Sequence, residues 1–143
     1  MSQVTKDMLD AVVAETFGAM AFADVMPTPE VVMPTSMVVA RIGIDVPWKG
    51  ALWVAAEADM VEELARSAWG FAADESQTQR KAFLDEMLNV VAGALAASVS
   101  PDGEVAIGFA ESADPSEWPD DWLITYDIEG HPMTFALVGL QAA

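Results

Sequence analysis

Cysteine is absent from the 143 residues, which excludes disulfides, thiolate zinc sites and cysteine nucleophiles. Histidine occurs once, as His131 in the turn-like Glu129-Gly130-His131-Pro132, so histidine-rich metal sites are excluded too. Positive charge is scarce. Lys6, Arg41, Lys49, Arg66, Arg80 and Lys81 stand against 23 acidic residues and leave a net charge of −17. A surface that acidic repels phosphate backbones and anionic lipid, so neither nucleic acid nor a membrane is expected as a partner. A basic segment followed by an apolar run is missing from the start of the chain, and no secretory signal is expected. The runs Ala11–Ala23 and Met87–Val99 are interrupted by Glu15 and Asn89 and are too short to span a bilayer. A cytoplasmic location is the expectation.

What remains is a chain suited to one globular domain, residues 1–143, with 53% hydrophobic and 20% charged residues. Apolar spacing predicts a first helix from about Thr5 to Phe22, ended by Met26-Pro-Thr-Pro29. Met37–Ile44 and Ala51–Ala55 read as a β-hairpin around Val46-Pro-Trp-Lys-Gly50. Asp59 with Glu62 has capping-box spacing for a second helix, which Gly70 stops. Ser76 with Gln79 opens a third. Beyond the turn Pro101-Asp-Gly103, a strand is expected over Glu104–Glu111, then an acidic loop, Asp114–Asp121. That loop lacks calcium-binding spacing and reads as solvated rather than as a metal site. Trp122–Ile128 and Met133–Leu140 form a second hairpin. The order α-β-β-α-α-β-β-β describes an α+β fold, an antiparallel sheet packed by long helices.

The third helix carries the most informative stretch, Ala82–Ser98. With Leu88 at zero and about 100° per residue, Leu84, Leu88, Val91 and Leu95 share one narrow stripe. Glu86 and Asn89 lie on the other side, three residues apart and therefore neighbours. Around them Ala82, Gly93 and Ala96 are all small. Gly93 in mid-helix costs about 0.5–1 kcal/mol relative to alanine. An ordinary polar face with a tolerated glycine is the plain explanation. Small residues flanking a polar pair also let another molecule approach Glu86 and Asn89 directly.

An internal comparison sharpens this. Laid on the third helix with an offset of 75 residues, the first matches Leu9-Asp10 to Leu84-Asp85, Gly18-Ala19 to Gly93-Ala94 and Ala21 to Ala96. Two pseudo-repeated halves are the expectation. Where the third helix has Glu86 and Asn89, the first has Ala11 and Ala14. A polar pair kept for solubility alone has no reason to occur in one copy and be missing from the other.

Glu86-Met-Leu-Asn89 followed by Val-Val-Ala-Gly93 resembles the E-x-x-N helix, with downstream glycine, of the CheC/CheX/FliY phosphatases of bacterial chemotaxis. One such helix rather than two resembles the CheX branch, and the order of helices and strands agrees along nearly the whole chain. The sequence departs from the family pattern at Ala82, often Asp or Ser, and at Ala94, often Asn. Pro115 is the nearest match to a proline that often follows the next strand.

The resemblance implies a phosphatase acting on the aspartyl phosphate of a CheY-like response regulator. Asn89 would orient the attacking water. Glu86 would pair with a lysine of the regulator, with Ala82, Gly93 and Ala96 allowing close approach. Mg2+ would sit in the partner's own site, so no cofactor is expected on this chain. Phosphoryl transfer needs positioning and charge stabilisation more than a covalent nucleophile, and an amide supplies positioning without titrating. The resemblance also implies a homodimer, and a sheet edge left by the apolar strands Met37–Ile44 and Met133–Leu140 would favour one. The alternative is a docking module that binds a regulator or a flagellar-switch component without hydrolysis.

Overall fold

The computed structural model describes residues 4–21, 23–70, 76–100, 103–120 and 122–139. Among the described residues, three α-helices, α1 (Lys6–Ala21), α2 (Ala58–Trp69) and α3 (Ser76–Val99), pack with a sheet of seven strands. The strands are β1 (Val25–Pro27), β2 (Met37–Val46), β3 (Gly50–Glu57), β4 (Ala106–Ile107), β5 (Glu111–Ala113), β6 (Leu123–Ile128) and β7 (His131–Val138). They pair antiparallel in the order β1-β6-β7-β3-β2-β4, with β5 beside β4 on the same edge of β2. The α+β class and the antiparallel sheet are as the sequence indicated.

Alternation along the strands builds two cores. Ala40, Ile42 and Ile44 of β2, Leu52, Val54 and Ala56 of β3, and Met133, Phe135 and Leu137 of β7 face the helices. There they meet Leu84, Leu88, Val91 and Leu95 of α3, each 0–3% exposed. Each such side chain contributes about 1.5–3 kcal/mol by leaving water. The opposite face buries Val39, Ala51, Trp53, Ala55 and Ala136 under chain segments rather than helices. Thr125 and Thr134 lace one cover in place. Val32 N–H donates to Thr125 Oγ1 at 2.9 Å, and Thr134 Oγ1 donates to Val32 O at 2.7 Å.

Local chemistry explains the helix ends and turns. Thr5 Oγ1 accepts the Met8 N–H at 3.2 Å as α1 starts. Gly70 ends α2 at φ 64°, with its N–H on Arg66 O. Glu129 and Gly130, at φ 53° and 87°, give β6–β7 a two-residue turn of the kind that matches strand twist.

Several expectations need correction. Met26-Pro-Thr-Pro29 is not merely a connection, because Val25–Pro27 pairs with β6; a proline is tolerated on an edge strand. Asp59 does not cap α2. Glu57 holds that position without a side-chain cap, its carboxylate lying 3.1 Å from His131 Nδ1 instead. His131 therefore opens β7 rather than sitting in the turn. Glu104–Glu111 is not one strand but two short ones with a break at 108–110. Met37–Ile44 and Met133–Leu140 do not supply a free edge, since β2 and β7 are both interior; Leu140 lies outside the described residues. Phe22, Pro101, Asp102 and Asp121 lie outside them too.

Asp114-Pro-Ser-Glu-Trp-Pro-Asp does more than face solvent. Asp114 accepts the Ser116 N–H at 2.9 Å and starts a 3-10 turn over Pro115–Glu117. This delivers Trp118 edge-on to Trp53, ring centres 6.2 Å apart. An aromatic pair of this geometry contributes about 0.5–1.5 kcal/mol beyond its buried area. Trp118→Ala is therefore expected to lower unfolding free energy by at least about 1 kcal/mol, measured by urea denaturation. An unchanged midpoint would show that the loop does not hold the second core shut.

Candidate functional site

On the surface of α3, Glu86 is exposed and Asn89 half-exposed. Helical geometry puts them side by side, and the buried Leu84/Leu88/Val91/Leu95 stripe fixes the helix so that both face away from the core. Glu86 has no ion-pair partner among the described residues. Asn89 is different. Its Oδ1 accepts the Ala110 N–H at 3.0 Å. A backbone N–H only donates, so the atom facing it is the carbonyl oxygen, which assigns the amide's orientation. Nδ2, with both its hydrogens, and one lone pair of Oδ1 are left for a ligand.

Ala110 reaches Asn89 because of the break between β4 and β5. Ile107 pairs with Ile44 and Glu111 with Arg41. Between those pairs β2 supplies Ile42 and Gly43, whereas the partner strand supplies Gly108, Phe109 and Ala110. One extra residue makes a bulge, which bends a strand and re-aims its groups. Here it turns the Ala110 N–H out of the ladder and onto α3.

The small residues divide. Ala82 is exposed beside the pair. Gly93 is half-exposed, and a Cβ there would sit 3.8 Å from Ile107 Cδ1, an ordinary contact. Ala96 is 0% exposed. It packs inside the fold, so its placement on the partner-facing surface is corrected: it lies nearer the core stripe than the helix projection suggested. Val90, partly exposed, adds apolar bulk to the face.

The neighbouring Asp85 contrasts with Asp10, its counterpart on α1 at the 75-residue offset. Asp10 is fully engaged, with Lys6 Nζ at 2.9 Å and the Tyr126 hydroxyl donating at 2.6 Å. Burial and the carboxylate push the Tyr126 hydroxyl well above its ordinary range, so it stays a donor. On the α3 side, β2 offers Ala40, Ile42 and Ile44, none with a hydroxyl. Asp85 Oδ1 is buried without a partner. Burial raises its pKa, with Lys81 opposing and Glu111 adding to the rise. Asp85 also lines an open cleft of about 470 Å³ with Lys81, Arg80, Thr78 and Ser112.

No protein-family model matches the sequence, and no curated protein matches it either. Solved structures do. The chain is similar to CheX of Vibrio vulnificus, with TM-score 0.74, 10% identity and 95% of each chain covered. It is similar to a chain of the CheX–CheY–BeF3–Mg2+ complex of Borrelia burgdorferi, with TM-score 0.70, 11% identity and 94% and 96% covered. The FliM middle domain of Vibrio alginolyticus is more distant, at TM-score 0.57, 16% identity and 94% and 92% covered. The chain thus has the fold of the CheX and CheC-like chemotaxis proteins, and the resemblance carried by Glu86-Met-Leu-Asn89 extends to the architecture.

Sequence reasoning missed the segment 108–110. Its trace was there, since a glycine inside an alternating stretch signals a bulge. Nothing in the sequence said that the freed N–H would meet Asn89, which requires the approach of an edge strand to a helix 21 residues earlier in the chain.

Two expectations follow from this geometry. Gly93→Ala is expected to stabilise the domain by about 0.5–1 kcal/mol, because the helix gains and the added methyl clashes with nothing. Thermal denaturation measures it, and a loss would mean Gly93 is needed for packing. For Asp85, a raised folded pKa means that the ionised carboxylate penalises the native state above that pKa, and the penalty disappears as pH falls. Asp85→Asn is expected to raise the melting temperature at neutral pH, with the gain vanishing by about pH 3, where carboxylates are protonated. A gain independent of pH would refute the charge argument.

Proposed function

We propose that this chain is a CheX-like phosphatase that hydrolyses the aspartyl phosphate of a CheY-like response regulator in chemotaxis or a related two-component pathway. The observation that carries the reading is Asn89, held through Oδ1 by the Ala110 N–H with Nδ2 turned to solvent beside an exposed Glu86. Nδ2 donates a hydrogen bond to one lone pair of a water and leaves another directed at phosphorus. Oδ1 accepts a water proton on its second lone pair. The backbone bond fixes the amide before the partner arrives, so less orientational freedom is lost in the reaction. Glu86 pairs with a lysine of the regulator. The Mg2+ belongs to the regulator's phosphorylation site, where it neutralises charge on the transferred group.

The single polar helix fits two related halves. Exchanging β1 with β4, β6 with β2 and β7 with β3 leaves the sheet order unchanged. Buried positions of α1 and α3 coincide at the 75-residue offset, Leu9 with Leu84, Val13 with Leu88 and Ala21 with Ala96. Ala11 and Ala14 then mark the half that lacks the pair. A homodimer enters this reading through the resemblance, and a cytoplasmic location through the expectation drawn from the sequence. A docking module without hydrolysis is the second reading, favoured by the likeness to the FliM middle domain.

Single-turnover decay of a phosphorylated CheY-like receiver domain, followed against protein concentration, separates the two. Asn89→Ala is expected to lower the maximal rate roughly 10²-fold, the loss of one positioned polar contact, with binding largely intact. Asn89→Asp keeps an acceptor for Ala110 and removes the Nδ2 donor, so it is expected to be as slow. Glu86→Ala is expected to weaken binding, more visibly at low salt, where an ion pair is less screened. No acceleration by the wild type on any receiver domain from the same genome, or an unchanged maximum with Asn89→Ala, would leave only the docking module.

A further inference from the structure

Phe109 is 91% exposed, far above any other large apolar side chain among the described residues. Burying it inside this domain would have been easy for a chain so rich in apolar residues, and leaving a whole aromatic ring in water forfeits about 1.5–3 kcal/mol. Its setting is not that of a loose loop tip. The residue before it, Gly108, donates its N–H to Gly43 O at 2.9 Å. The residue after it, Ala110, donates its N–H to Asn89 Oδ1 at 3.0 Å. Phe109 is thus the apex of the β4–β5 bulge, pinned on one side to β2 and on the other to the amide assigned to the water. Two fixed neighbours cost no further ordering when the ring meets a partner.

Resting on the phosphatase reading, we propose that Phe109 is the apolar anchor by which this chain docks its receiver domain, and that it sets partner choice. The occupant it fits is a receiver-domain surface with an apolar recess beside a cationic group. The recess takes the ring, and the cation meets Glu86 on a chain whose net charge of −17 already favours a basic face. Binding energy in such interfaces concentrates in a few buried aromatic anchors, surrounded by contacts that exclude water. Continuity with the chemistry is direct. Consecutive Cα atoms lie about 3.8 Å apart, so the ring's backbone sits one residue from the N–H that holds Asn89. Docking of the ring and orientation of the amide are therefore two ends of one short, hydrogen-bonded segment.

The test measures decay of an acetyl-phosphate-loaded CheY-like receiver domain from the same genome with wild type, Phe109→Ala and Phe109→Leu. Phe109→Ala is expected to raise the concentration for half-maximal acceleration at least tenfold, about 1.4 kcal/mol, while the maximal rate at saturation changes less than twofold. Phe109→Leu is expected to recover part of the affinity. Melting temperature is expected to be unchanged for both, since the ring touches little of its own domain. Acceleration by wild type with the same half-saturation in Phe109→Ala would overturn the anchor and leave the phosphatase standing. An equal fall in the maximal rate at saturation would also overturn it, because the ring would then serve Asn89 rather than docking. Failure of the wild type to accelerate decay would remove the phosphatase reading, and the anchor with it.

Discussion

Everything on the exposed polar face of α3 depends on how firmly that helix is seated. Leu84, Leu88, Val91 and Leu95 are each removed almost wholly from water against α1, α2 and the sheet. Rotation of the helix would bring some of that stripe into solvent at about 25 cal/mol per Å². The same burial that holds the domain together therefore sets the azimuth of Glu86 and Asn89. Thr78–Val99 is long and apolar enough by composition to cross a membrane, but half of that window is buried within the fold. It is used here as a core helix.

Against this rigid background the 108–110 bulge supplies what a helix alone cannot. A helix surface presents side chains that rotate freely unless something engages them. Asn89 is engaged by a backbone group from a different part of the sheet, and a main-chain donor has no rotamers of its own to lose. Asp85, four residues from the same amide, has the opposite fate, its buried oxygen unmatched, whereas Asp10 on α1 receives the Tyr126 hydroxyl. The helices α1 and α3 thus carry an aspartate each with a different polar setting.

The sequence was most legible where a single period governed. The helix α3, its buried stripe and its polar pair follow from spacing alone, and the β2–β3 and β6–β7 hairpins from β-branched runs with turn residues between. Legibility failed where an element is defined by its partner. Val25–Pro27 has too few residues to show a period and becomes a strand only by pairing with β6. Ala96 looked like part of the polar face because it lies at the rim, and only the neighbouring elements decide which way a rim residue goes. Asp59 looked like the cap of α2 by its spacing to Glu62, whereas Glu57 holds that position with its carboxylate on His131, 74 residues later. At the site, residue types and positions were readable; the donor that orients Asn89 was not, since backbone amides leave no mark in a sequence.

The margins of the sheet carry one more consequence. One edge is β1, three residues ending in Pro27, and the other is shared by β4 and β5, two and three residues long. Such edges give an incoming strand almost no ladder to join. A partner of this domain would then be met by side chains rather than by shared backbone hydrogen bonds. Backbone pairing is indifferent to sequence, whereas side-chain contacts are not. A lineage carrying this fold can accordingly be redirected from one partner to another by exchanging a few exposed residues, with the framework beneath them left as it is.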